Sequence, residues 1–233
     1  MKKNLPLPLT VILLAGFTFL VSCSHRNYTA ANFEEKTATH QTVAILPAEM
    51  LFTGTLPKNT NPEKIAAQEE QESREFQYAL YNSILRHANT RKYITTINFQ
   101  DIGTTLKKME ENNITVRDSW AMDDAALSKA LGVDAVIKMR IQKQRYMSDG
   151  ASYGIDAARR IIGSTTFGSK IPVPSNASKT NDIYASCNLV SNNQTLWNDN
   201  YKRATDWNTP ANEIIEGITD NFGRNFPYKR RKK

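Results

Sequence analysis

Hydrophobic residues in the first part of the chain form a continuous run and then a helical repeat, which predict a strand followed by a long helix. The continuous apolar run over 42–48 predicts a strand that is buried on both faces. Residues 50–60 contain a glycine and a proline and predict a loop. Asn61 followed by Pro62 is a helix start signal, and the helical period continues to about residue 88. The buried stripe of this helix is predicted to contain Phe76, Leu80 and Ile84.

Four predicted elements follow this helix: a strand over 93–99, helices over 102–112 and 119–131, and a strand over 133–147. Gly132 is a good C-terminal stop for the second of these helices, because glycine adopts left-handed backbone without a steric penalty. The last strand alternates apolar and polar residues. We therefore expect it to have one exposed face and to lie away from the centre of the sheet.

The last third of the chain predicts an insert, a hairpin and a final helix. Residues 148–180 are rich in glycine and serine and predict a loop insert. Alternating segments on both sides of Asn192-Asn193 predict an antiparallel hairpin near the C-terminus, since asparagine tolerates a positive φ. Thr209-Pro210 opens the last helix. This order of elements predicts an α/β fold with a single mixed sheet layered with helices.

The first 22 residues have the pattern of a removable signal peptide. A basic start precedes an apolar segment over 9–21, which is too short to span a bilayer. The segment ends in Leu20-Val-Ser-Cys23, which resembles the bacterial lipobox. The Cys23 thiol is therefore the predicted site of lipid attachment, and three acyl chains would hold the protein firmly on a membrane. Because Ser24 is not acidic, we expect the outer membrane, with the domain facing the periplasm.

These patterns predict four parts: a lipoprotein signal peptide (1–22), a lipidated tether (23–41), a periplasmic domain (42–228) and a basic tail (229–233). The tether is polar and has no hydrophobic period. Its residues 24–41 reach at most about 60 Å when fully extended. The folded domain is therefore expected to stay near the membrane that carries the lipid.

The net charge of +7 belongs to the two ends of the chain. Lys2 and Lys3 leave with the signal peptide, and residues 229–233 supply five more positive charges, so the domain itself is neutral. A folded nucleic-acid binder carries its basic residues on the domain, so we expect no nucleic-acid partner. The tail has two interpretations: a solvated terminus, or a segment that contacts phosphate head groups or an acidic partner.

Residues with catalytic or metal-binding chemistry are few and scattered. His25 and His40 lie in the predicted tether, and His87 lies at a helix end, where a cation or a cap is the ordinary role. We find no zinc-ligand spacing and no motif of a nucleophilic hydrolase or a phosphate-binding loop. Cys187 alternates with apolar residues, which predicts a small buried side chain. We therefore expect no enzyme, metal or cofactor.

Three short stretches resemble motifs of one lipoprotein superfamily: Val43-Ala-Ile-Leu-Pro47, Ala130-Leu-Gly-Val-Asp-Ala-Val136 and Leu189-Val-Ser-Asn-Asn-Gln-Thr-Leu-Trp197. The superfamily comprises the curli-secretion-channel lipoproteins and relatives, among them a lipoprotein activator of a peptidoglycan synthase and uncharacterised outer-membrane lipoproteins. In the third stretch, the motif's glycine is replaced and the count is shifted. The resemblance implies an anticodon-binding-like α/β fold over roughly 42–226 and a role that is not catalytic.

The functions that we predict all concern the cell envelope. The first is a non-catalytic, lipid-anchored periplasmic protein that binds or assembles with another envelope component. The alternatives are a homo-oligomeric secretion or export channel subunit and an activator of a peptidoglycan synthase, which the short tether disfavours. The insert could be a surface loop, a partner-docking loop or a pore element, and the adjacent Arg159 and Arg160 disfavour a pore. The candidate partner anchors are Trp120, Tyr146, Tyr153, Trp197 and Trp207.

Overall fold

The computed structural model describes residues 27–54, 61–146, 151, 179–206 and 208–232. Within these residues the chain forms, in order, β1 (Tyr28–Thr29), α1 (Phe33–Thr37), β2 (Thr42–Ile45), β3 (Glu49–Gly54), α2 (Pro62–Ala88), β4 (Tyr93–Thr95), β5 (Asn98–Phe99), α3 (Ile102–Glu111), α4 (Val116–Ala121), α5 (Asp124–Leu131), β6 (Ala135–Arg145), β7 (Lys179–Ser191), β8 (Gln194–Asp206), α6 (Ala211–Asn225) and β9 (Lys229–Arg231). Among the helices of this part of the chain, none combines the length and the apolar character needed to cross a membrane.

Seven strands form one mixed sheet in the order β1-β8-β7-β6-β2-β5, with β3 pairing with β6 beyond the end of β2. Strands β2, β3 and β5 are in parallel pairs, whereas β6, β7, β8 and β1 are paired antiparallel. The predicted mixed sheet and the antiparallel hairpin near the C-terminus are confirmed. The prediction that the long strand β6 lies away from the centre is wrong, because β6 pairs with β7 on one edge and with β2 and β3 on the other.

One face of the sheet is fully covered by helices, and the other is covered at one end. The larger core lies between the sheet and helices α2 and α6, and it includes Phe76, Trp197 and Phe222. The smaller core lies on the opposite face, where α3 and α5 pack against the start of β6. Strand β2 contributes Val43 to the larger core and Ala44 to the smaller one, which confirms that it is buried on both faces.

The residues predicted to begin a helix, to end a helix and to form the hairpin turn have these roles in the structure. The Asn61 side chain caps α2 by accepting a hydrogen bond of 2.8 Å from the Glu63 N–H. Gly132 ends α5 in the left-handed conformation with φ of +62°. Asn192 and Asn193 turn the β7–β8 hairpin with φ of +49° and +59°.

Several predicted elements differ in the structure. Residues 50–54, which belong to the predicted loop over 50–60, form β3 together with Glu49, because β6 provides a parallel partner for them. The predicted strand over 93–99 divides into β4 and β5, which belong to different sheets. The predicted helix over 119–131 is two helices that meet at Asp123, whose carboxylate caps α5.

The two predicted flexible ends are folded onto the domain. The predicted tether over 23–41 contains β1, which pairs with β8, and α1, whose Phe33 packs on Tyr228 with ring centroids 5.3 Å apart. The predicted basic tail contributes β9, which pairs antiparallel with β4. Both segments gain backbone partners far away in the sequence, and a local reading cannot detect such partners. Most of the predicted insert over 148–180 lies outside the described residues.

Candidate partner-binding face

The sheet face opposite α2 and α6 is polar where α3 and α5 end. Because side chains alternate along a strand, every second residue of β6, β7 and β8 points to this side. We call this surface the open face and define it by Glu49 of β3, Lys138, Arg140 and Gln142 of β6, Tyr184, Ser186 and Asn188 of β7, and Asn198, Asn200 and Lys202 of β8. None of these residues is buried.

A groove of about 340 Å³ lies where the open face meets α4 and α5. Two ion pairs line it: Arg140 Nε lies 2.5 Å from Glu49 Oε2, and Lys138 Nζ lies 3.0 Å from Asp124 Oδ1. Lys138 also donates a hydrogen bond of 3.2 Å to the Met122 carbonyl. The groove therefore presents both signs of charge, held in place by strands and by the first turn of a helix.

Trp120 forms part of the groove wall. Its ring lies 5.3 Å from the guanidinium carbon of Arg117, which is a cation–π contact. The indole N–H is shielded from solvent and has no hydrogen-bond partner among the described residues. Such a buried donor without a partner has a free-energy cost in the folded protein.

A row of amides crosses the open face from β7 to β8. Asn198 donates a hydrogen bond of 2.6 Å to Asn188, and Asn200 donates one of 2.6 Å to Asn198. Each amide keeps further donor or acceptor positions because a carboxamide has two N–H groups and an oxygen with two lone pairs. The row offers hydrogen bonds at fixed spacing to any segment laid across the strands.

The far end of the open face carries an aromatic and charged cluster. The Tyr146 and Tyr184 hydroxyls donate to Asp182 at 3.0 and 3.2 Å, and Lys202 pairs with the same carboxylate at 2.8 Å. The hydrogen bond from Lys202 holds the pKa of Asp182 below its usual value, and it raises the pKa of Lys202. Burial and the hydrogen bond to Asp182 raise the pKa of Tyr146. These shifts keep the aspartate and the lysine charged over a wide pH range.

The arrangement is suited to binding. The charged groups of the groove are paired with each other, so they supply hydrogen bonds and local charge rather than a free acid or base. Among the described residues, no group of three or more histidine, cysteine or acidic side chains is placed to hold a metal ion. A polar partner with planar hydrogen-bonding groups is the chemistry that this face accommodates.

Some of the predicted partner anchors lie at the surface of the open face, and others do not. Trp120 lies at the groove and Tyr146 at the far end of the open face, with 45% of its surface exposed. Trp197 is buried in the larger core and does not reach the surface. The other predicted residues lie outside the described part of the chain: Cys23, His25, Tyr153, Arg159, Arg160 and Trp207.

Cys187 is buried in the larger core, which confirms the prediction of a small buried side chain. Burial and the nearby Asp199 raise the pKa of its thiol, so the reactive thiolate is suppressed. Asp199 itself accepts hydrogen bonds from Asn221 at 3.2 Å and Asn225 at 2.9 Å, both on α6. This polar contact ties α6 to the sheet and is structural.

The two described histidines hold segments together. His40, predicted to lie in a tether, is half-buried: its Nδ1 lies 2.5 Å from the Tyr228 hydroxyl and its Nε2 lies 3.5 Å from Ser191 Oγ. Burial lowers the pKa of His40, against an opposing effect of Asp134. His87 lies at the end of α2, where its Nε2 is 2.6 Å from Asp220 of α6. Both histidines join elements distant in sequence rather than build a reactive centre.

The sequence patterns do not identify the ion pairs of the groove. Glu49 lies between the predicted strand over 42–48 and the predicted loop over 50–60, so its place opposite Arg140 depends on a strand pairing that the prediction lacked. A weak signal was present, because Met50, Leu51 and Phe52 form a short apolar run of the kind found in buried strands. Lys138 and Arg140 lie on the predicted polar side of β6, which the structure confirms.

No protein-family model and no curated protein matches the sequence. Solved structures that are similar include a PelC dodecamer from Paraburkholderia phytofirmans, with 9% identity, a TM-score of 0.37, and coverage of 85% of this chain and 94% of that one. Lipoprotein GNA1162 from Neisseria meningitidis has 11% identity, a TM-score of 0.38, and coverage of 78% of this chain and 94% of that one. The LpoB C-terminal domain from Salmonella enterica has 6% identity, a TM-score of 0.36, and coverage of 73% of this chain and 91% of that one.

All of these similar structures differ greatly from this chain in sequence. At identities of 11% or less and TM-scores below 0.4, they carry no conclusion about the partner, the assembly or the activity of this chain.

Proposed function

We propose that this chain is a lipid-anchored, non-catalytic protein of the bacterial cell envelope that binds another envelope protein through the open face. The observation that supports the proposal most strongly is the groove, where two ion pairs and the Trp120 side chain adjoin an uncovered sheet surface. Binding surfaces commonly combine an aromatic anchor with polar groups of fixed orientation.

The open face has the character of an interface that forms after folding. Its hydrogen bonds and ion pairs satisfy the face in the free protein, so the domain does not need a partner to fold. A standard interface covers about 800 Å² on each partner, and the open face spans three long strands. We propose that the partner's polar groups replace water on this face and that the Trp120 ring packs against the partner.

The proposed anchor would hold the domain close to the membrane. Four residues, 24–27, separate Cys23 from the first residue of β1. This segment can reach at most about 18 Å, because an extended chain advances by no more than about 3.6 Å per residue. We propose that the domain stands on the periplasmic side of the outer membrane. Replacing Cys23 by alanine should cause accumulation of the uncleaved, unlipidated precursor, whereas normal membrane-bound maturation would contradict the anchor.

The partner proposal is tested by site-specific photo-crosslinking of the full chain in intact cells. A crosslinking amino acid at Ser186, in the groove, should give a defined adduct. The matched control is Tyr78, an exposed residue of α2 on the opposite side of the domain, with 49% exposed surface. The adduct at Ser186 should disappear when Lys138 and Arg140 are both changed to glutamate. Equal adducts from Ser186 and Tyr78, or none from Ser186, would contradict the proposal.

The same experiment separates the two alternative functions. A Ser186 adduct with a second copy of this chain, together with a native mass of many copies, would favour an oligomeric channel subunit. An adduct with a peptidoglycan synthase would favour an activator. The short span from Cys23 to β1 disfavours the activator, because that role requires the domain to reach across the periplasm.

A further inference from the structure

The two-stranded sheet of β4 and β9 lies apart from the main sheet and is strongly basic. Its strands pair antiparallel, with Ile94 opposite Arg230 and Tyr93 opposite Arg231. The pairing continues by one step, because the Lys232 N–H donates to the Lys92 carbonyl at 2.9 Å. We call this feature, from Arg91 to Thr95 and from Lys229 to Lys232, the basic ribbon.

The two faces of the basic ribbon differ. Lys229 is half-buried, donates to the Arg224 carbonyl, and lies 5.6 Å from the Tyr93 ring, so this side faces the body of the domain. Burial lowers the pKa of Lys229. The other side carries Ile94, with 45% of its surface exposed, opposite Arg230. By alternation, Lys232 lies on this outward side as well, whereas the exposed Lys92 has its ammonium 5.4 Å from the centre of the Tyr93 ring.

The exposed cations of the basic ribbon have no acidic partners. Within the described residues, none of the following forms an ion pair: Arg91, Lys92, Arg230, Arg231 and Lys232. The sequence places no acidic residue in 89–99 or 226–232. By contrast, cations of the open face are paired, as Arg140 is with Glu49. An exposed isoleucine among unpaired cations is a surface suited to an anionic layer with an apolar interior.

The basic ribbon lies at the end of the domain where the folded N-terminal segment packs. Thr29 of β1 pairs with Trp197, whose ring lies 6.0 Å from Phe226. Phe226 and Phe33 both contact Tyr228, at 5.7 and 5.3 Å, and Tyr228 directly precedes β9. Phe33 of α1 therefore packs against the segment that leads into the basic ribbon.

We propose that the outward side of the basic ribbon contacts anionic phospholipid head groups, with Ile94 at the level of the acyl boundary. The cations attract the lipid phosphates, and each is worth about a fivefold change in affinity at an anionic surface. The contact orients the domain on its membrane and leaves the open face accessible. The charge and pairing of the basic ribbon support the contact without the lipid anchor, so the proposal is independent of the partner of the open face.

The test uses the full chain, reconstituted in vesicles of phosphatidylcholine alone or mixed with phosphatidylglycerol. An environment-sensitive fluorophore is attached through Ile94→Cys in the lipidated protein, since the native Cys187 is buried and unreactive and the lipid would block the Cys23 thiol. We expect a blue shift and a brighter signal in the anionic vesicles, and the loss of both at high salt, which screens the head groups. Because the signal is local to residue 94, it does not depend on how the chain is held on the vesicle.

Two controls make the outcome decisive. The fluorophore at Tyr78→Cys, which is similarly exposed, should show no dependence on phosphatidylglycerol. The variant Lys92→Gln/Arg230→Gln/Lys232→Gln should weaken the contact about 100-fold, whereas Lys64→Gln/Lys107→Gln/Lys129→Gln, with the same change in net charge, should not. Equal responses at residues 94 and 78, an unchanged ribbon variant, or a response to added nucleic acid in place of anionic lipid would overturn the proposal.

Discussion

The two faces of the central sheet are built from the same strands and have opposite character. Along β6, one set of residues lies in the larger core without exposed surface: Ala135, Ile137, Met139 and Ile141. The residues between them on the open face are Lys138, Arg140 and Gln142, and none is buried. A shift of one residue in register would exchange the two sets, so the covered face determines which side chains the open face displays.

The difference separates stability from recognition. A large apolar side chain that is fully buried contributes about 1.5–3 kcal/mol, whereas an ion pair on an exposed surface contributes about 0.2–1 kcal/mol. The covered face therefore holds the fold, and the open face can change with little effect on folding. We expect substitutions on the covered face to change the free energy of unfolding and substitutions on the open face to change binding.

The largest effect is expected from Phe76→Ala. Phe76 has no exposed surface and packs in the larger core under α2. The substitution should lower the free energy of unfolding by about 3–5 kcal/mol, because it removes apolar contact and leaves a cavity. The matched aromatic on the open face is Tyr184, and Tyr184→Ala should cost about 1 kcal/mol or less. Equal losses in urea unfolding would contradict the assignment of the two faces.

The next effect tests how closely the two covering helices pack. A Cβ atom at Gly223 of α6 would lie 2.4 Å from Ser83 Oγ and 2.9 Å from the Ser83 carbonyl carbon. Because backbone atoms of α2 are involved, Gly223→Ala should force the helices apart and cost about 1–3 kcal/mol.

Gly217 in the same helix is the control for this helix contact. A Cβ there would meet the tip of the flexible Arg203 side chain, at 2.7 Å. Gly217→Ala should leave the free energy of unfolding unchanged or raise it by up to about 1 kcal/mol, because alanine favours a helix over glycine. Thermal unfolding of both variants checks the contrast, and a stable Gly223→Ala variant would show that the helices adjust without strain.

Sequence patterns predict the elements whose causes are local. Asn61, Gly132 and Asn192 act through hydrogen bonds and backbone angles within a few residues, so their positions follow from composition and spacing. The α/β class and the buried stripe of α2 follow from periodicity over one element. These features need no information about distant contacts.

The elements that the patterns miss depend on distant partners. Strand β3 requires β6, where Glu49 lies opposite Arg140, and β9 requires β4, where Arg231 lies opposite Tyr93. Strand β9 has only three residues, which is too short to show a period. The groove depends on such pairings and on the junction of α4 with α5, so its composition follows from the fold rather than from any motif.

A smaller effect is expected where the N-terminal segment meets the C-terminal one. Burial lowers the pKa of His40 below the usual 6.5, so the folded state binds a proton less readily than the unfolded state. This contribution to stability is complete above pH 6.5 and is lost as the pH falls through and below that value. We expect a loss about as large as one hydrogen bond, about 1 kcal/mol.

The comparison with His40→Gln isolates this effect. The free energy of unfolding is measured for the wild-type protein and for His40→Gln across the acidic range. In the difference between the two, the contributions of the groups that both proteins share cancel. Asp134 has a lowered pKa, so it stays ionised in this window. The stability difference between the two proteins should narrow as the pH falls from neutral toward 5. A constant difference would show that the contact of His40 with Tyr228 does not depend on the neutral imidazole.

The smallest effect on stability, and a large one on recognition, is expected from Arg140→Gln on the open face. Arg140 is exposed and pairs with Glu49 at 2.5 Å, so its loss should cost about 0.2–1 kcal/mol in unfolding. The same substitution leaves Glu49 unpaired in the groove and should reduce the crosslinked adduct at Ser186 several-fold. The control is Arg86→Gln, which removes an exposed pair with Asp220 of α6 outside the groove. If Arg140→Gln destabilised the fold as much as Phe76→Ala, or if both arginine variants reduced the adduct equally, the open face would be structural rather than a site for a partner.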